Sequence, residues 1–215
     1  MATVHFTARA VPLPPSIYLD KYPDKRQFID MNAAALIDLS NIEKLFVISD
    51  IHGKADQLRM AFGKFSREKE FQILIAGDLL IRHSSEAASI IKRQRNRITA
   101  VRGNCDSSID QDLAGTPLPL VQNISWNNRS LLLTHGHTLS QGRVPILPSG
   151  SILITGHTHY PALSIDKESG IILLNPGSIS SPRKGSQASY AVITKTGISV
   201  LSLFSGKKLL SLSFT

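Results

Sequence analysis

Seven side chains with metal-binding groups occur in five short motifs along this chain. They comprise two carboxylates, one amide and four imidazoles, supplied by Asp50, His52, Asp78, Asn104, His135, His157 and His159. Mixed oxygen and nitrogen donors of this kind suit Mn, Fe, Zn, Co or Ni better than Ca or Mg. The set is large enough to hold two adjacent divalent ions, and such a site is typical of enzymes that hydrolyse phosphate esters.

We predict that Asp78 bridges the two ions, with one carboxylate oxygen on each. The first ion would bind Asp50, His52, Asp78 and His159, and the second Asp78, Asn104, His135 and His157. The predicted catalytic residues are Asp50, His52, Asp78, Asn104 and His135. Two carboxylates against two dications leave a net charge of about +2, which would attract a phosphate and lower the pKa of a bridging water.

Each of these residues has an ordinary explanation when it is taken alone. An Asp-x-His pair is common by chance, and Asp78 and Asn104, which each follow a glycine, could be turn residues. His157 and His159 are a stronger signal, because two alternate histidines at the end of one strand rarely serve core packing. The order of the motifs favours a site, since each of the first three follows a separate apolar run.

Two further residues lie beside the predicted ligands in the sequence. His137 follows His135 by two positions, and His135 is assigned as the ligand because it comes directly after an apolar run. Cys105 directly follows the predicted ligand Asn104. We predict that His137 and Cys105 lie behind the ligands. His137 and His52 are also candidates for polar contacts with a bound phosphate.

The apolar runs predict the elements that position these motifs. Runs at 45–48, 71–76 and 98–101 alternate with helical spacing at 54–65 and 84–96. Each run is too apolar to have an exposed face, so we predict buried, largely parallel strands with crossover helices. In such sheets ligands bind beyond the carboxyl ends of the strands, where the first three motifs lie. Further strands are predicted at 129–134, 151–155, 162–165, 171–174, 189–194, 198–204 and 208–213. The whole pattern predicts two packed sheets flanked by helices.

Residues 1–43 differ from the rest and are predicted to form an N-terminal extension outside a domain at 44–215. A proline-rich stretch opens the extension, and residues 27–38 could form one short helix whose apolar surface offers a contact between copies. A start misassigned upstream of Met31 is the alternative explanation.

The chain is basic, with a formal net charge of +8 over 215 residues. A basic surface fits an anionic partner such as a nucleic acid, a phosphorylated metabolite or a membrane face, although ordinary solvated charge is the simpler explanation. The densest run, Lys92, Arg93, Arg95 and Arg97, falls at the end of a predicted helix, where cations are favourable without any ligand.

The compartment is predicted from what the sequence lacks. Its one cysteine, Cys105, cannot form an internal disulfide, which suits a reducing compartment. No apolar run typical of a secretory signal is visible, and no segment approaches the ~20 apolar residues of a membrane-spanning helix. We therefore expect a cytoplasmic protein without membrane contact, and a homo-oligomer is compatible with the sequence.

Taken in order, the motifs resemble the calcineurin-like metallophosphoesterase superfamily, and more finely its small bacterial and archaeal branch of YfcE-type phosphodiesterases. The supporting strings are SDIHG at 49–53, GDLL at 77–80, VRGNCDS at 101–107, LTHGH at 133–137, GHTHYP at 156–161 and NPGSIS at 175–180. The resemblance covers about residues 44–215. It implies an α/β fold, a four-layer α/β/β/α sandwich of two mixed β-sheets flanked by helices, with a binuclear metal centre for which manganese is the expected ion.

One departure from the wider superfamily affects the expected chemistry. Many members have a histidine that helps the leaving group at the position of Cys105, and the YfcE-type branch shares the cysteine. The resemblance therefore implies a preference for good leaving groups. A related retromer subunit, which is a protein-binding scaffold, replaces the bridging aspartate and the asparagine. This chain keeps Asp78 and Asn104, which favours a working metal site.

We therefore predict a metal-dependent phosphodiesterase in which a metal-bridging hydroxide attacks phosphorus while both ions hold the phosphoryl oxygens. The substrate would be a small phosphodiester at an open site, because the segment 139–150 is too short for a large cap. Two alternatives stay open. A nuclease is indicated by the net charge of +8, although the chain lacks a basic-aromatic platform for single strands. A non-catalytic protein-interaction scaffold could use the same fold.

Overall fold

The computed structural model describes residues 35–115, 117–139 and 146–214. In chain order its main elements are β1 (Ile37–Asp38), β2 (Lys44–Ile48), α1 (Ala55–Phe65), β3 (Phe71–Ile75), α2 (Ser85–Arg93), β4 (Ile98–Ala100), α3 (Ser108–Ala114), β5 (Val121–Trp126), β6 (Arg129–Thr134), β7 (Ile152–Ile154), β8 (Pro161–Ile165), β9 (Ile172–Pro176), β10 (Ser189–Thr194), β11 (Gly197–Ser202) and β12 (Lys208–Ser213). Two short 3₁₀ turns lie at Ile81–His83 and Arg95–Arg97. None of the helices described is long and apolar enough to cross a membrane.

The strands form two six-stranded mixed sheets. The first, which we call the helix-covered sheet, has the order β12-β11-β10-β2-β3-β4, with β2, β3 and β4 parallel. The second, which we call the partner sheet, has the order β1-β5-β6-β7-β9-β8, with β6, β7 and β9 parallel. The predicted α/β fold with two mixed sheets and flanking helices is confirmed.

Alternate residues of the central strands fill two separate cores. On β2, Phe46 and Ile48 face the helices, and the Phe46 ring stacks on Phe65 of α1 with centroids 4.1 Å apart. Leu45 and Val47 face the other way and pack between the two sheets. Because both faces of β2 are covered, its run of apolar residues needs no exposed side.

The outer face of the partner sheet carries a smaller apolar cluster. It consists of Val121, Leu132, Leu147, Leu153 and Ile171. The three described α-helices all contribute to the core on the helix-covered sheet, and within the described ranges none covers this other face. The described helices therefore account for one of the two outer layers of the predicted sandwich.

Four elements differ from the sequence-based prediction. The helix predicted at 27–38 is wrong where it can be tested, since Ile37 and Asp38 pair in parallel with Ile124 and Ser125 of β5; residues 27–34 lie outside the described residues. The strand forms because Ile37 packs on the core between the sheets. α2 ends at Arg93 and continues only as a 3₁₀ turn, and α3 and β5 were not predicted.

Candidate metal centre

The predicted ligands follow five strands and meet at one edge of the two sheets. Asp50 and His52 follow β2, Asp78 follows β3, and Asn104 follows β4, all on the helix-covered sheet. The partner sheet supplies three histidines, His135 after β6 and the pair His157 and His159 after β7. Both sets lie beyond the carboxyl ends of parallel strands, which is where open α/β sheets bind ligands.

The first group contains the four residues predicted for the first ion. One donor atom from each of Asp50, His52, Asp78 and His159 lies within 4.8 Å of the others. His159 Nε2 is 3.2 Å from Asp50 Oδ1 and 3.3 Å from His52 Nε2. His52 Nε2 is 3.9 Å from Asp78 Oδ2. Asp50, Asp78 and His159 are buried, and His52 is half-buried.

The second group uses the other oxygen of Asp78. His135 Nε2 lies 3.4 Å from Asp78 Oδ1 and 3.1 Å from Asn104 Oδ1. The exposed His157 places its ring 5.2 Å from the His135 ring, and its backbone N–H donates to Asp50 Oδ2 at 3.2 Å. One carboxylate therefore faces both groups, as a bridging ligand must.

Backbone carbonyls fix which ring nitrogens face the site. His135 Nδ1 lies 2.6 Å from Ala76 O, and His159 Nδ1 lies 2.6 Å from Ser181 O. Because a carbonyl only accepts, each Nδ1 carries a proton, and Nε2 is the ring nitrogen that faces the cluster and is available to a metal ion. This is the arrangement in which histidines bind metal ions.

The cluster has more acceptors than donors, so its residues fit a cation. Asp50 Oδ1 is buried without a hydrogen bond, although His159 Nε2 is only 3.2 Å away. With the proton of His159 on Nδ1, both of these atoms are acceptors. A buried oxygen left in this state costs free energy unless a positive charge lies between the two atoms.

The charges of the group agree with this. Burial tends to raise the pKa of Asp78, but hydrogen bonds from His135 and from the backbone of Cys105 outweigh it and hold that pKa well below its usual range. Burial raises the pKa of Asp50 and lowers the pKa of His52 and His157. The two histidines therefore favour their neutral, ligating form.

Five of the seven predicted ligands have a left-handed backbone. The φ angles are 53° at Asp50, 48° at His52, 52° at Asp78, 67° at His157 and 59° at His159. For a residue with a Cβ this conformation costs roughly 1–2 kcal/mol. Such strain persists only where the surroundings fix it and it gathers at functional sites, which supports a common role for these residues.

Two glycines let the site loops approach each other. A Cβ at Gly103 would lie 2.0 Å from Asp78 Oδ1, and a Cβ at Gly156 would lie 1.9 Å from Ser49 Oγ. Any larger residue would push the Asp78 carboxylate or the loop after β2 out of place.

Cys105 and His137 lie next to the ligands. Cys105 Sγ accepts a hydrogen bond from Asn104 Nδ2 at 3.2 Å, and burial together with the charge of Asp78 raises the Cys105 pKa to about 11. The His137 ring lies 5.4 Å from that of His135 and 6.3 Å from that of His157. His137 Nδ1 is buried without a hydrogen-bond partner.

Several residues that hold the ligand loops were given no role from the sequence. Asp106 accepts from the backbone of Leu80 at 2.9 Å and of Gly103 at 2.8 Å. Arg82 donates to Cys105 O at 3.0 Å and pairs with the buried Asp110. Serines after β9 bond to the loop after β2, although they belong to the string NPGSIS that carried the family resemblance.

Comparison with known proteins agrees with the geometry. A sequence model of the calcineurin-like phosphoesterase superfamily domain matches residues 44–197. Phosphodiesterase YfcE of Escherichia coli (strain K12) is 32% identical over 171 residues, which cover 74% of this chain and 92% of that protein. The probable metallophosphoesterase YsnB of Bacillus subtilis (strain 168) is 26% identical over 161 residues, covering 70% and 83%. Among solved structures, the YfcE phosphoesterase of E. coli matches with a TM-score of 0.74 and 30% identity over 80% of this chain and 100% of that chain.

Proposed function

The chain belongs to the calcineurin-like phosphoesterase superfamily, and we propose that it is a metal-dependent phosphodiesterase that acts on small phosphodiesters with two divalent ions. The observation that carries this proposal is the cluster of Asp50, His52, Asp78 and His159, whose donor atoms lie within 4.8 Å of one another. Asn104, His135 and His157 lie beside it and share Asp78, which supports a second ion. Manganese is our first choice for both, with Zn, Ni, Fe and Co as alternatives.

When bound, two such ions supply charge that neutralises the phosphoryl oxygens and activates a water for attack. The protein's part is to hold the donors in place before the substrate arrives. Asp78 remains ionised because its pKa is lowered, and His135 and His159 keep Nε2 turned to the site because Nδ1 donates to a carbonyl. His157 is exposed, so a phosphate can approach from its side.

Arginine side chains at the rim favour an anionic substrate. Burial is the main cause that lowers the pKa of His137 and of His157, and the charges of Arg102 and Arg183, respectively, make smaller contributions in the same direction. The described residues give neither guanidinium a carboxylate partner, so both charges are available to a phosphate.

The leaving group should receive little help from position 105. With a pKa raised to about 11, the Cys105 thiol is a weak acid, and its sulfur already accepts from Asn104. We infer that the enzyme prefers esters of acidic alcohols such as phenols. We also keep the sequence-based proposal that it acts in the cytosol.

The test is hydrolysis of bis(p-nitrophenyl) phosphate by protein stripped with a chelator and then reloaded with one metal at a time. We expect no turnover without metal, restoration by Mn²⁺ or a similar ion, and slower turnover of the monoester p-nitrophenyl phosphate. Full activity in metal-free protein would contradict the proposal.

The same assay separates the two alternatives. Cleavage of DNA or RNA at rates well above those on the small diester, with binding that weakens steeply with salt, would indicate a nuclease. Failure of every loaded form to hydrolyse any diester would favour a non-catalytic interaction module.

A further inference from the structure

The segment Ser178–Ser181, which we call the serine segment, follows β9 and lies against the metal centre from outside. It contains no predicted ligand. It nevertheless contacts two of them, because the hydroxyls of Ser178 and Ser180 both donate to Asp50 O at 2.8 Å. At its other end Ser181 O accepts from His159 Nδ1 at 2.6 Å.

The carbonyl of Asp50 needs such partners. Asp50 lies beyond the end of β2 with a φ of 53°, so its backbone has left the sheet. Its N–H donates to Gly77 O, but its carbonyl turns toward the serine segment. Two hydroxyls on one carbonyl fix the peptide plane after Asp50, and with it the direction of the carboxylate.

The segment is itself held rigidly. Ser178 is fully buried, and its oxygen accepts from the backbone N–H of Ser180 at 3.1 Å and of Ser181 at 2.8 Å while it donates to Asp50. Ile179 N–H donates to Ser49 O at 3.3 Å. The segment is therefore a small hydrogen-bonded platform joined to the loop after β2.

Asp50 and His159 are the pair that the segment connects. Asp50 Oδ1 and His159 Nε2 lie 3.2 Å apart on the side of the site. On the opposite side, the Asp50 carbonyl and His159 Nδ1 both bond to the serine segment. Asp50 belongs to the helix-covered sheet and His159 to the partner sheet, so no secondary structure fixes their separation. In the part of the chain that the structure describes, Asn104 and His135 of the second group have no hydrogen bond to the segment.

We propose that the serine segment positions Asp50 and His159 as ligands of the first ion. The Ser180 hydroxyl takes part in this positioning and affects the first ion but not the second. This rests on the proposed two-ion function. Ser180 is the better position to test, because Ser178 would still donate to Asp50 O after the Ser180 hydroxyl is removed. Removing the Ser178 hydroxyl would in addition strip two backbone N–H groups of their acceptor.

The experiment compares Ser180→Ala with Ser180→Thr and with a matched control, Ser189→Ala. The Ser189 hydroxyl likewise donates to a carbonyl near this segment, that of Pro176 at 2.6 Å, but within the described ranges it has no hydrogen bond to Asp50 or His159. Each chelator-stripped protein is titrated with Mn²⁺ by calorimetry, and its unfolding midpoint is measured in excess chelator.

We expect the wild-type protein to bind two Mn²⁺ ions. Ser180→Ala should bind one ion with unchanged affinity and the other about tenfold more weakly, the lower end of the range for groups that orient metal ligands. Ser180→Thr, which keeps the hydroxyl, should recover most of that loss. Ser189→Ala should lower the midpoint about as much as Ser180→Ala while binding Mn²⁺ like the wild type.

Three results would overturn the proposal while leaving the two-ion function intact. They are unchanged Mn²⁺ binding in Ser180→Ala, an equal loss at both ions, or the same loss in Ser189→Ala. A wild-type protein that binds no Mn²⁺ or other divalent ion would instead overturn the proposed function, and the role of the segment with it.

Discussion

The two oxygens of Asp78 lie toward the side chains of different ligand groups. Oδ2 lies toward His52, while Oδ1 lies 3.4 Å from His135 and accepts from the backbone of Cys105. A neutral amide at this position would present an N–H₂ group to one of the two ions. The position therefore tests whether two ions are bridged by one side chain.

Asp78→Asn should reduce bound metal from two ions to one or none and lower diesterase activity at least a hundredfold. That factor corresponds to a loss of about 2.7 kcal/mol of transition-state stabilisation. Metal content by elemental analysis and the steady-state rate are the measurements. Asp56→Asn, the same change on the exposed face of α1, serves as the control and should change neither the metal content nor the diesterase activity. Two retained ions with an unchanged rate would show that Asp78 is not the bridge.

Cys105 provides a second test at the scale of one residue. Its thiol, with a pKa of about 11, is poorly suited to protonate a leaving oxygen. Cys105→His would place an imidazole there, and a well-positioned general acid is worth typically ~10²–10⁴-fold. We expect the gain with alkyl esters and little change with nitrophenyl esters, because the latter leave unaided.

The measurement for Cys105→His is the rate over a series of leaving groups. Cys105→Ser, which keeps a small acceptor for Asn104 but adds no acid, is the matched control. An unchanged slope of log rate against leaving-group pKa, in protein that still holds both ions, would show that position 105 does not limit proton transfer.

Among the elements, the strands that precede the ligands were predictable because most of their residues are apolar. β2 and β3 are buried on both faces, so nearly every residue had to be apolar, and the polar motif that follows each run marks the strand end. β5 was missed because Gln122, Asn123 and Ser125 break its apolar pattern. α3 was missed because it is seven residues long and exposes Ile109 and Leu113, which leaves no continuous buried stripe.

The candidate site also has features that were predictable from the sequence and features that were not. Ligand types and their order were visible in the motifs, and the structure brings all seven residues together, while their role as ligands stays a prediction. The serine segment could not be found in this way, since its hydroxyls bond to the carbonyl of a residue 128 positions earlier in the chain. Two signals for α3 were present: Ser107 followed three residues later by Asp110, which form a capping box, and Gly115, which ends the helix with a left-handed conformation.

α3 also anchors the loop that carries Asn104. Asp110 is fully buried, pairs with Arg82, and accepts from the backbone of Arg82 and Ser107 at 2.9 and 2.8 Å. Burial tends to raise the pKa of Asp110, but these hydrogen bonds outweigh it and lower that pKa below its ordinary value. Arg82 in turn donates to Cys105 O, so the pair connects α3 to the second ion's loop.

Asp110→Asn should lower the free energy of unfolding by roughly 2 kcal/mol, below the ~3–5 kcal/mol for breaking a fully buried pair because Arg82 is partly exposed. The native pKa is lowered, so ionised Asp110 stabilises the fold fully above the unfolded pKa of ~3.9 and loses this effect as pH falls through the native value. The difference from wild type in urea unfolding should stay constant from pH 7 to about pH 5 and narrow only in more acidic solution. If the free energies of unfolding of the wild type and of Asp110→Asn were already equal at pH 5, the lowered pKa of Asp110 would be contradicted. Asp112→Asn, on the exposed side of α3, is the control.

At the scale of the whole molecule, the metal centre joins two sheets that each have their own outer core. Asp50, His52, Asp78 and Asn104 come from the helix-covered sheet, and the remaining three ligands come from the partner sheet. The relative placement of the sheets therefore decides the ligand distances. Anything that loosens the shared core between them should affect both stability and the site.

The residues just before the predicted domain boundary belong to this shared core. Leu39 is buried, β1 pairs with β5, and the fully buried Trp126 donates its indole N–H to Ile42 O at 2.7 Å. The boundary at residue 44 stays a prediction, yet β1 already forms the edge strand of the partner sheet and residues 39–43 connect it to β2. Two truncations distinguish these residues from those before them.

Removing residues 1–34 should leave the unfolding midpoint and the Mn²⁺ content unchanged, because every contact described for the domain survives. Removing residues 1–43 should lower the free energy of unfolding by several kcal/mol. Loss of the buried Leu39 side chain is worth ~2–5 kcal/mol, and leaving the Trp126 N–H without an acceptor adds ~1–3 kcal/mol. Because all seven ligands lie at or after Asp50, the shorter protein should still bind Mn²⁺ at low temperature. Equal stability of the two truncated proteins would show that β1 and Leu39 add nothing to the core. Loss of Mn²⁺ from folded protein lacking residues 1–34 would show that those residues complete the site.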